Sequence, residues 1–411
     1  MSERYFLHKF DNGLTFVAEE LPAMQSAAMT LMLAAGAAGD AVHRRGSATV
    51  VADLVLRGAG ERDSRQLTDY LDSLGLQRAG SVGVHHTRFG CAGIAARVVQ
   101  SLEVYADIVR RPRLPEEGFA AARDLALQSL AGLEDDPRQK LLVKLRETFL
   151  PSPLGRNPTG DPGDLAKLTL AVCRADWQRR YTPNEAILTV AGNIHFAVVR
   201  DEIGRCLGDW TGSAPTPLRL TPSRQRVHHE RQESEQTHIG IAYPSVPETD
   251  SDYYVVRLAV EVLSGGMSGR LFTEIREKRG LCYSVWAGYT ATKELGGVLA
   301  YAGSSNDRAQ ATLDCLIGEI HRLAEGITAA ELERAKTGLK AATIMQGEST
   351  SARAGAIAHD YFMRGRVRTL DEIKSQIDRV SVERVNEYLK RNLPGPFTVV
   401  TVGARELKIG D

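Results

Sequence analysis

The 411-residue chain lacks the features that would commit it to a charged partner or an oxidising compartment. Lys+Arg and Asp+Glu each number 51, so no net field favours nucleic acid or an anionic membrane surface. The five cysteines are scattered and never spaced as Cys-x-x-Cys, which predicts reduced packing residues. The N-terminal segment alternates apolar and polar residues, so neither a signal peptide nor a membrane span is expected. These absences predict a cytoplasmic globular protein that binds neither nucleic acid nor membrane.

The chain does have a repeated order of elements in two halves. Its length is too great for one hydrophobic core. The stretch 211–226 has three prolines and no helical periodicity, and it divides the chain almost in half. Each half then has an apolar strand, a loop, an apolar helix, and amphipathic helices alternating with strands. We predict an α+β protein with two homologous domains, 1–212 and 227–411, joined by a linker at 213–226. Each domain is expected to be an antiparallel sheet with helices largely on one face.

Local signals place several elements within these halves. Asp11-Asn12-Gly13 predicts a hairpin turn after a first strand. Asp63 with Gln66, and Thr328 with Glu331, have the spacing of capping boxes, so a helix is expected to begin just after each pair. Further helices are expected at about 46–56, 252–263 and 269–278.

The helix expected at 46–56 has the frame of a zinc helix without its ligands. An inverted zincin needs His-x-x-Glu-His on one helical face, and this pattern is absent from the chain. The run GSATVVADLVLRG nevertheless resembles the zinc helix of the pitrilysin and mitochondrial-processing-peptidase superfamily. In that resemblance Thr49, Ala52 and Asp53 stand where the family has its first His, its general base and its second His. An ordinary core helix is favoured over a residual metal site here, because the small and apolar residues follow helical spacing.

The third ligand position is also changed. The run AARDLALQSLAGLEDDP at 121–137 resembles the family helix that supplies a Glu, and here Ser129 stands at its place. A single carboxylate, that of Asp53, is a poor metal site. The resemblance therefore implies that this chain holds no metal, and that zinc belongs to a partner subunit.

A second motif of the superfamily is complete. The run SGRLFTEIREKRGLCYSV at 268–285 closely matches the family, and it carries Arg276 and Tyr283 seven residues apart. The resemblance implies that this pair faces a zinc site across a cavity. There a guanidinium can bond a substrate carbonyl or carboxylate, and a phenol can donate to a developing oxyanion. The non-functional alternative is a surface ion pair for Arg276 and a packed strand position for Tyr283.

The resemblance extends over most of the chain, through GRNPTGDPGDLAKLTL at 155–170 and YTPNEAILTVAGNI at 181–194. It implies two chains forming a clamshell around a peptide-sized chamber, with one subunit's zinc domain facing the other's Arg/Tyr domain. We expect a subunit that is inactive alone and pairs with a homologous zinc-binding peptidase to cleave unfolded peptides. One alternative is a purely structural subunit, like the core proteins of the respiratory bc1 complex. Another is a standalone peptidase with a nonstandard metal site.

Three other clusters carry weaker signals. His85 and His86 lie where the family has a loop between two strands, and adjacent residues in a strand point to opposite faces, so the pair is not expected to grip one metal. The sequence His228-His229-Glu230 lies in a charged run that is typical of a solvated edge. The glycines of LSGGMSGR at 263–270 are not followed by Lys-Ser/Thr, so a tight turn into the next helix is expected rather than a phosphate loop.

Overall fold

Two open β-sheets form the framework of the chain, and the computed structural model describes residues 4–409. The strands are β1 Tyr5–Lys9, β2 Thr15–Glu20, β3 Ser26–Leu33, β4 Gly58–Ala59, β5 Arg62–Asp63, β6 Gln77–Val82, β7 Thr87–Ile94, β8 Ile187–Gly192, β9 Val227–Arg231, β10 Gln236–Ser245, β11 Ser284–Ala291, β12 Gly296–Ser305 and β13 Thr398–Gly403.

Fourteen α-helices and one π-helix are found among the described residues. The α-helices are α1 Ser47–Leu54, α2 Ser64–Ser73, α3 Ala95–Arg110, α4 Glu116–Ala131, α5 Pro137–Phe149, α6 Pro162–Ala166, α7 Leu170–Arg180, α8 Phe196–Leu207, α9 Tyr253–Ser264, α10 Ala309–Arg322, α11 Ala329–Gln346, α12 Thr350–Arg364, α13 Leu370–Asp378 and α14 Val382–Arg391. The π-helix spans Phe272–Lys278. The predicted α+β class is confirmed.

The local predictions agree with the structure. β1 and β2 pair antiparallel around the predicted hairpin turn. Asp63 and Gln66 exchange both bonds of a capping box at the start of α2. Thr328 and Glu331 do the same at the start of α11. Such caps are readable from sequence because they depend only on residues three apart.

The first compact unit contains the six-stranded sheet, in the order β1-β2-β8-β3-β7-β6. All neighbours are antiparallel except β2 and β8, which run parallel. On one face Cys91 of β7, paired with Met29 of β3, contacts Ser101 of α3. On the other face Ala28 of β3 packs against Ala354 of α12. The sheet is therefore covered on both faces, and α12 covers the second.

The second unit contains the five-stranded sheet, in the order β11-β12-β10-β13-β9. Here β9 and β13 are the parallel pair. Ile239 and Ile241 of β10 point into the main core, which includes residues of α9, α10 and α14. Between them Gly240 faces α5, and a Cβ there would lie 3.1 Å from the side chains of both Leu141 and Leu145. A side chain at this position would require Leu141 and Leu145 to shift by a few tenths of an ångström.

Each unit includes one helix that is distant in sequence from the rest of it. Among the described residues, the first unit takes in those up to Gly132, then Arg156–Arg219 and Met345–Val367. The second takes in Leu133–Gly155, Leu220–Ile344 and those from Arg368 onward. The helix α12 thus belongs to the first unit, and α5 belongs to the second. The domain bounds 1–212 and 227–411 stay a prediction.

Candidate functional site

The helix that corresponds to the zinc helix is α1, and its side chains are committed to other contacts. Thr49 is half-buried, and its hydroxyl donates to the carbonyl of Pro158 at 2.6 Å. Ala52 has no donor atom for a metal. The carboxylate of Asp53 forms an ion pair with Arg57, one helical turn later. These three side chains therefore do not provide a group of free ligand atoms for a metal ion.

The remaining ligand position lies on α4, which packs against α1. The hydroxyl of Ser129 is exposed and donates to the carbonyl of Leu125 at 2.9 Å within its own helix. Within residues 4–409, no group of three or more His, Cys, Asp or Glu side chains is arranged to hold a metal ion. A threonine, an alanine, a paired aspartate and a serine do not fit zinc, which prefers imidazole, thiolate and carboxylate ligands.

A buried ion pair holds α1 in place. The carboxylate of Asp40 accepts bonds from the backbone N–H groups of Gly46 at 2.8 Å and Ala48 at 3.1 Å, which are donors at the helix start. Arg180 of α7 lies 3.0 Å from the same carboxylate, and both side chains are almost wholly buried. Burial raises the pKa of Asp40, while Arg180 acts to lower it. The pair therefore fixes the start of α1, the helix that resembles the zinc helix of the family.

Arg276 lies on the π-helix and is exposed. Its guanidinium carbon is 4.9 Å from the ring centroid of Phe272, a distance at which a cation is attracted to the ring face. The carboxylate of Glu274, two residues before Arg276, is engaged by Lys278 at 2.7 Å and by Arg279 at 3.0 Å. In the part of the chain that the structure describes, no carboxylate pairs with Arg276. Its N–H donors are free to bind a ligand.

Tyr283 lies just before β11 and is 70% exposed. Its backbone N–H donates to the carbonyl of Gly303 at 3.1 Å, which fixes the main chain while the side chain projects outward. The neighbouring Cys282 is buried, so the chain alternates between core and solvent here. An ion pair for Arg276 and a packed position for Tyr283 are not what the structure shows.

The segment that carries Arg276 is anchored at its start by Arg270. This guanidinium binds both carboxylate oxygens of Glu331, at 2.7 and 3.0 Å, and the carbonyl of Gly326 at 2.9 Å. Glu331 also caps α11 through Thr328. The hydrogen bond from Arg270 is the main cause that lowers the pKa of Glu331 to about 2. The π-helix is thus tied to the core of the second unit.

This anchor gives a pH dependence with a defined sign. Because the pKa of Glu331 is lowered in the folded state, its contribution is complete above the ordinary value of 4.5 and is lost as pH falls toward about 2. We expect Glu331→Gln to be less stable than the parent at pH 7 by about 1–3 kcal/mol, as for other hydrogen bonds to charged groups. The difference should shrink between pH 4.5 and 2 in urea unfolding. A difference independent of pH contradicts the assignment.

The weaker clusters have structural roles. His86 is buried, and its ring meets Phe362 edge-on at 4.2 Å. His229 bonds the hydroxyl of Thr401 at 2.9 Å on the sheet. The glycine run after α9 forms a tight turn in which Gly266 has a φ of +87°, as predicted. Sequence reasoning missed Phe272, although an aromatic residue four positions before Arg276 is a readable signal.

Comparisons with known proteins identify the family of this chain. A model of the insulinase family (peptidase family M16) matches residues 15–161, and a model of the peptidase M16 inactive domain matches residues 167–339. The chain therefore belongs to the pitrilysin-like M16 superfamily of metallopeptidases, as the resemblance implied. Within residues 4–409, none of the helices is both long and apolar enough to cross a membrane.

Individual relatives span nearly the whole chain. An uncharacterized zinc protease of Mycobacterium bovis is 26% identical over 401 residues, covering 95% of this chain and 91% of the relative. An uncharacterized zinc protease of Bacillus subtilis is 24% identical over 382 residues, covering 91% and 92%.

Two solved structures share the fold. The peptidase M16 inactive domain from Pseudomonas fluorescens superposes with a TM-score of 0.90 at 20% identity, covering 99% of this chain and 100% of its own. A chain of Complex III2 from Candida albicans has a TM-score of 0.84 at 17% identity, covering 97% and 96%. At these identities the likeness establishes the two-domain architecture and nothing about activity.

Proposed function

We propose that this chain is the non-zinc subunit of a heterodimeric zinc metallopeptidase. It supplies Arg276 and Tyr283, which together are called the clamp, to the zinc site of a homologous partner, and it forms half of a chamber for unfolded peptides. The observation that carries the proposal is an asymmetry. The positions for zinc ligands hold residues that are bonded elsewhere, whereas the two clamp residues are exposed and Arg276 has no carboxylate partner among residues 4–409.

The roles follow from the chemistry of the two side chains. Arg276 has a planar fork of N–H donors that matches a carbonyl or carboxylate oxygen of the peptide. Tyr283 donates its hydroxyl hydrogen to the oxygen that becomes negative when water attacks the scissile carbonyl. The water is activated at the partner's His-x-x-Glu-His site, since this chain has no general base in its own zinc helix. Two subunits are therefore required for one active site.

The test is to purify this chain and a homologue that carries His-x-x-Glu-His, separately, and then to mix them. We expect cleavage of an unfolded peptide by the mixture at a rate well above that of either protein alone, with a stoichiometric complex on gel filtration. Metal analysis of this chain alone should give far less than one zinc per chain. Cleavage by this chain alone, with stoichiometric zinc, contradicts the proposal and favours the nonstandard metal site.

The stacking of Arg276 on Phe272 leads to a graded prediction. Phe272→Leu removes the aromatic face beneath an exposed guanidinium, a contact worth about 0.5–1 kcal/mol. We expect kcat/KM of the mixture to fall by about two- to fivefold, because Arg276 then samples more rotamers. Phe272→Tyr keeps the ring and should retain the parental value. Equal kcat/KM values for Phe272→Leu and Phe272→Tyr argue against a role of the Phe272 ring in orienting Arg276.

A second candidate function is that of a structural assembly subunit. The likeness to a chain of Complex III2 supports it, because that chain shares the fold within a large complex. A scaffold has no need of an exposed guanidinium without a counter-charge, so the clamp geometry favours the peptidase role. Isolation of the native chain in a stable complex with membrane respiratory proteins, with no effect of Arg276→Ala on any peptidase, favours the scaffold instead.

A further inference from the structure

The second unit contains a cavity of about 330 Å³ that is separate from the clamp. It lies between the end of β10, the middle of α9 and the end of α14. Its lining includes Tyr243, Val246, Val256, Ala259, Tyr388 and Leu389. The volume falls at the lower end of the range for small-molecule sites, roughly 300–1,000 Å³.

The cavity lies at the far end of β10 from the clamp. His238 of β10 pairs with Gly303, the residue that receives the backbone bond from Tyr283. Tyr243 lies five residues further along the strand, which corresponds to roughly 17 Å at about 3.3 Å per residue. A ligand in the cavity therefore does not occupy the clamp.

One polar group in the lining lacks a partner. Tyr243 is 94% buried, being only 6% exposed. Among residues 4–409 the hydroxyl of Tyr243 makes no hydrogen bond. This hydroxyl keeps some accessible surface, whereas the hydroxyl of Tyr181 is completely buried. The hydroxyl therefore meets open space, and the cavity supplies that space. Burial raises the pKa of Tyr243, so the hydroxyl keeps its proton and remains a donor.

The remaining lining determines the kind of ligand. Within the described residues, no charged side chain lines the cavity. An ion would lose its hydration without a counter-charge, so a charged ligand is disfavoured. The polar lining residues other than the tyrosines are Ser245 and Asn392, and Asn392 already donates to the carbonyl of Tyr388 at 3.0 Å.

We propose that this cavity binds a small neutral organic molecule with an apolar body and one hydrogen-bond acceptor, which accepts the hydroxyl hydrogen of Tyr243. The apolar walls supply affinity, and the buried hydroxyl of Tyr243 supplies orientation and selectivity. The site is independent of the clamp and of the peptidase proposal.

The probe is acetophenone, with ethylbenzene as a near-isostere that lacks the carbonyl and benzoate as a charged analogue. We expect saturable binding of acetophenone to the intact chain by ligand-detected NMR titration, and no saturable binding of benzoate. Tyr243→Phe removes only the hydroxyl, and it should raise the dissociation constant for acetophenone by about three- to tenfold, the effect of one hydrogen bond. The dissociation constant for ethylbenzene should stay unchanged.

A second variant keeps the test decisive. Ala259→Phe fills the cavity and should abolish binding of both neutral probes, while its circular dichroism spectrum shows that the chain still folds. If Ala259→Phe is unfolded, the Tyr243→Phe comparison decides alone. No saturable binding of acetophenone up to its solubility limit means that the cavity holds only water and overturns the proposal. The proposal is also overturned if Tyr243→Phe loses affinity for acetophenone and for ethylbenzene to the same extent.

Discussion

In a mixture of this chain with a His-x-x-Glu-His homologue, Arg276→Ala is expected to lower kcat/KM for peptide cleavage by about 10²- to 10³-fold. This is the usual cost of removing a preorganised donor from a transition state. Arg276 has no carboxylate partner among residues 4–409, so its loss leaves no charge unpaired and the chain should fold normally. Arg279→Ala is the matched control, because Arg279 lies one residue beyond the same helix and is paired with Glu274. It should change kcat/KM little.

Tyr283→Phe separates the two roles within the clamp. The ring is retained and only the hydroxyl is lost, so a group that acts in the transition state should lower kcat with little change in KM. Arg276→Ala should also raise KM if the guanidinium holds the peptide before reaction. Because both residues act on one transition state, the fold-loss of kcat/KM in the double variant should be smaller than the product of the fold-losses in the two single variants. Full activity of the double variant rejects the clamp.

The largest effect on stability is expected at Arg180. Its guanidinium lies 3.0 Å from Asp40, with both side chains almost wholly buried. Arg180→Met removes the charge and keeps much of the volume, so it leaves the buried carboxylate without its cation. Removing one partner of such a pair costs about 3–5 kcal/mol. The midpoint of urea unfolding should fall accordingly.

A neighbouring arginine gives the control for this stability prediction. Arg179 binds Asp176 at 2.7 Å, but its side chain is 48% exposed. Arg179→Met should cost less than Arg180→Met, because the buried carboxylate of Asp176 keeps Arg180 at 4.0 Å as a second cation. Asp40→Asn together with Arg180→Met removes both charges and should recover part of the loss. A shift no larger for Arg180→Met than for Arg179→Met contradicts the role assigned to the buried pair.

The parts of the fold that could be predicted are those encoded within a few residues. The hairpin at Asp11-Asn12-Gly13 and the caps at Asp63 and Thr328 depend on local spacing, and all three are present. The two candidate motifs can also be recognised from sequence, because GSATVVADLVLRG and SGRLFTEIREKRGLCYSV are contiguous runs. Their side-chain roles stay proposals.

The parts that could not be predicted depend on distant residues. Spacing at 269–278 indicates a helix but does not distinguish the π form, in which Arg276 stacks on Phe272. The parallel pairing of β2 with β8 joins strands that are far apart in sequence. The bond from Thr49 to Pro158 spans more than a hundred residues, so no local pattern shows that this position has acquired a new contact.

The placement of α12 on the first sheet and of α5 on the second affects how the chain folds as the ribosome makes it. The six-stranded sheet has all its strands once residue 192 has been made, yet its second face lacks α12 until residue 364. For that interval Ala28 and its neighbours present an apolar face to water. The first unit therefore reaches its final packing only after α12, which follows all the strands of its sheet in the chain, has been made and covers the second face.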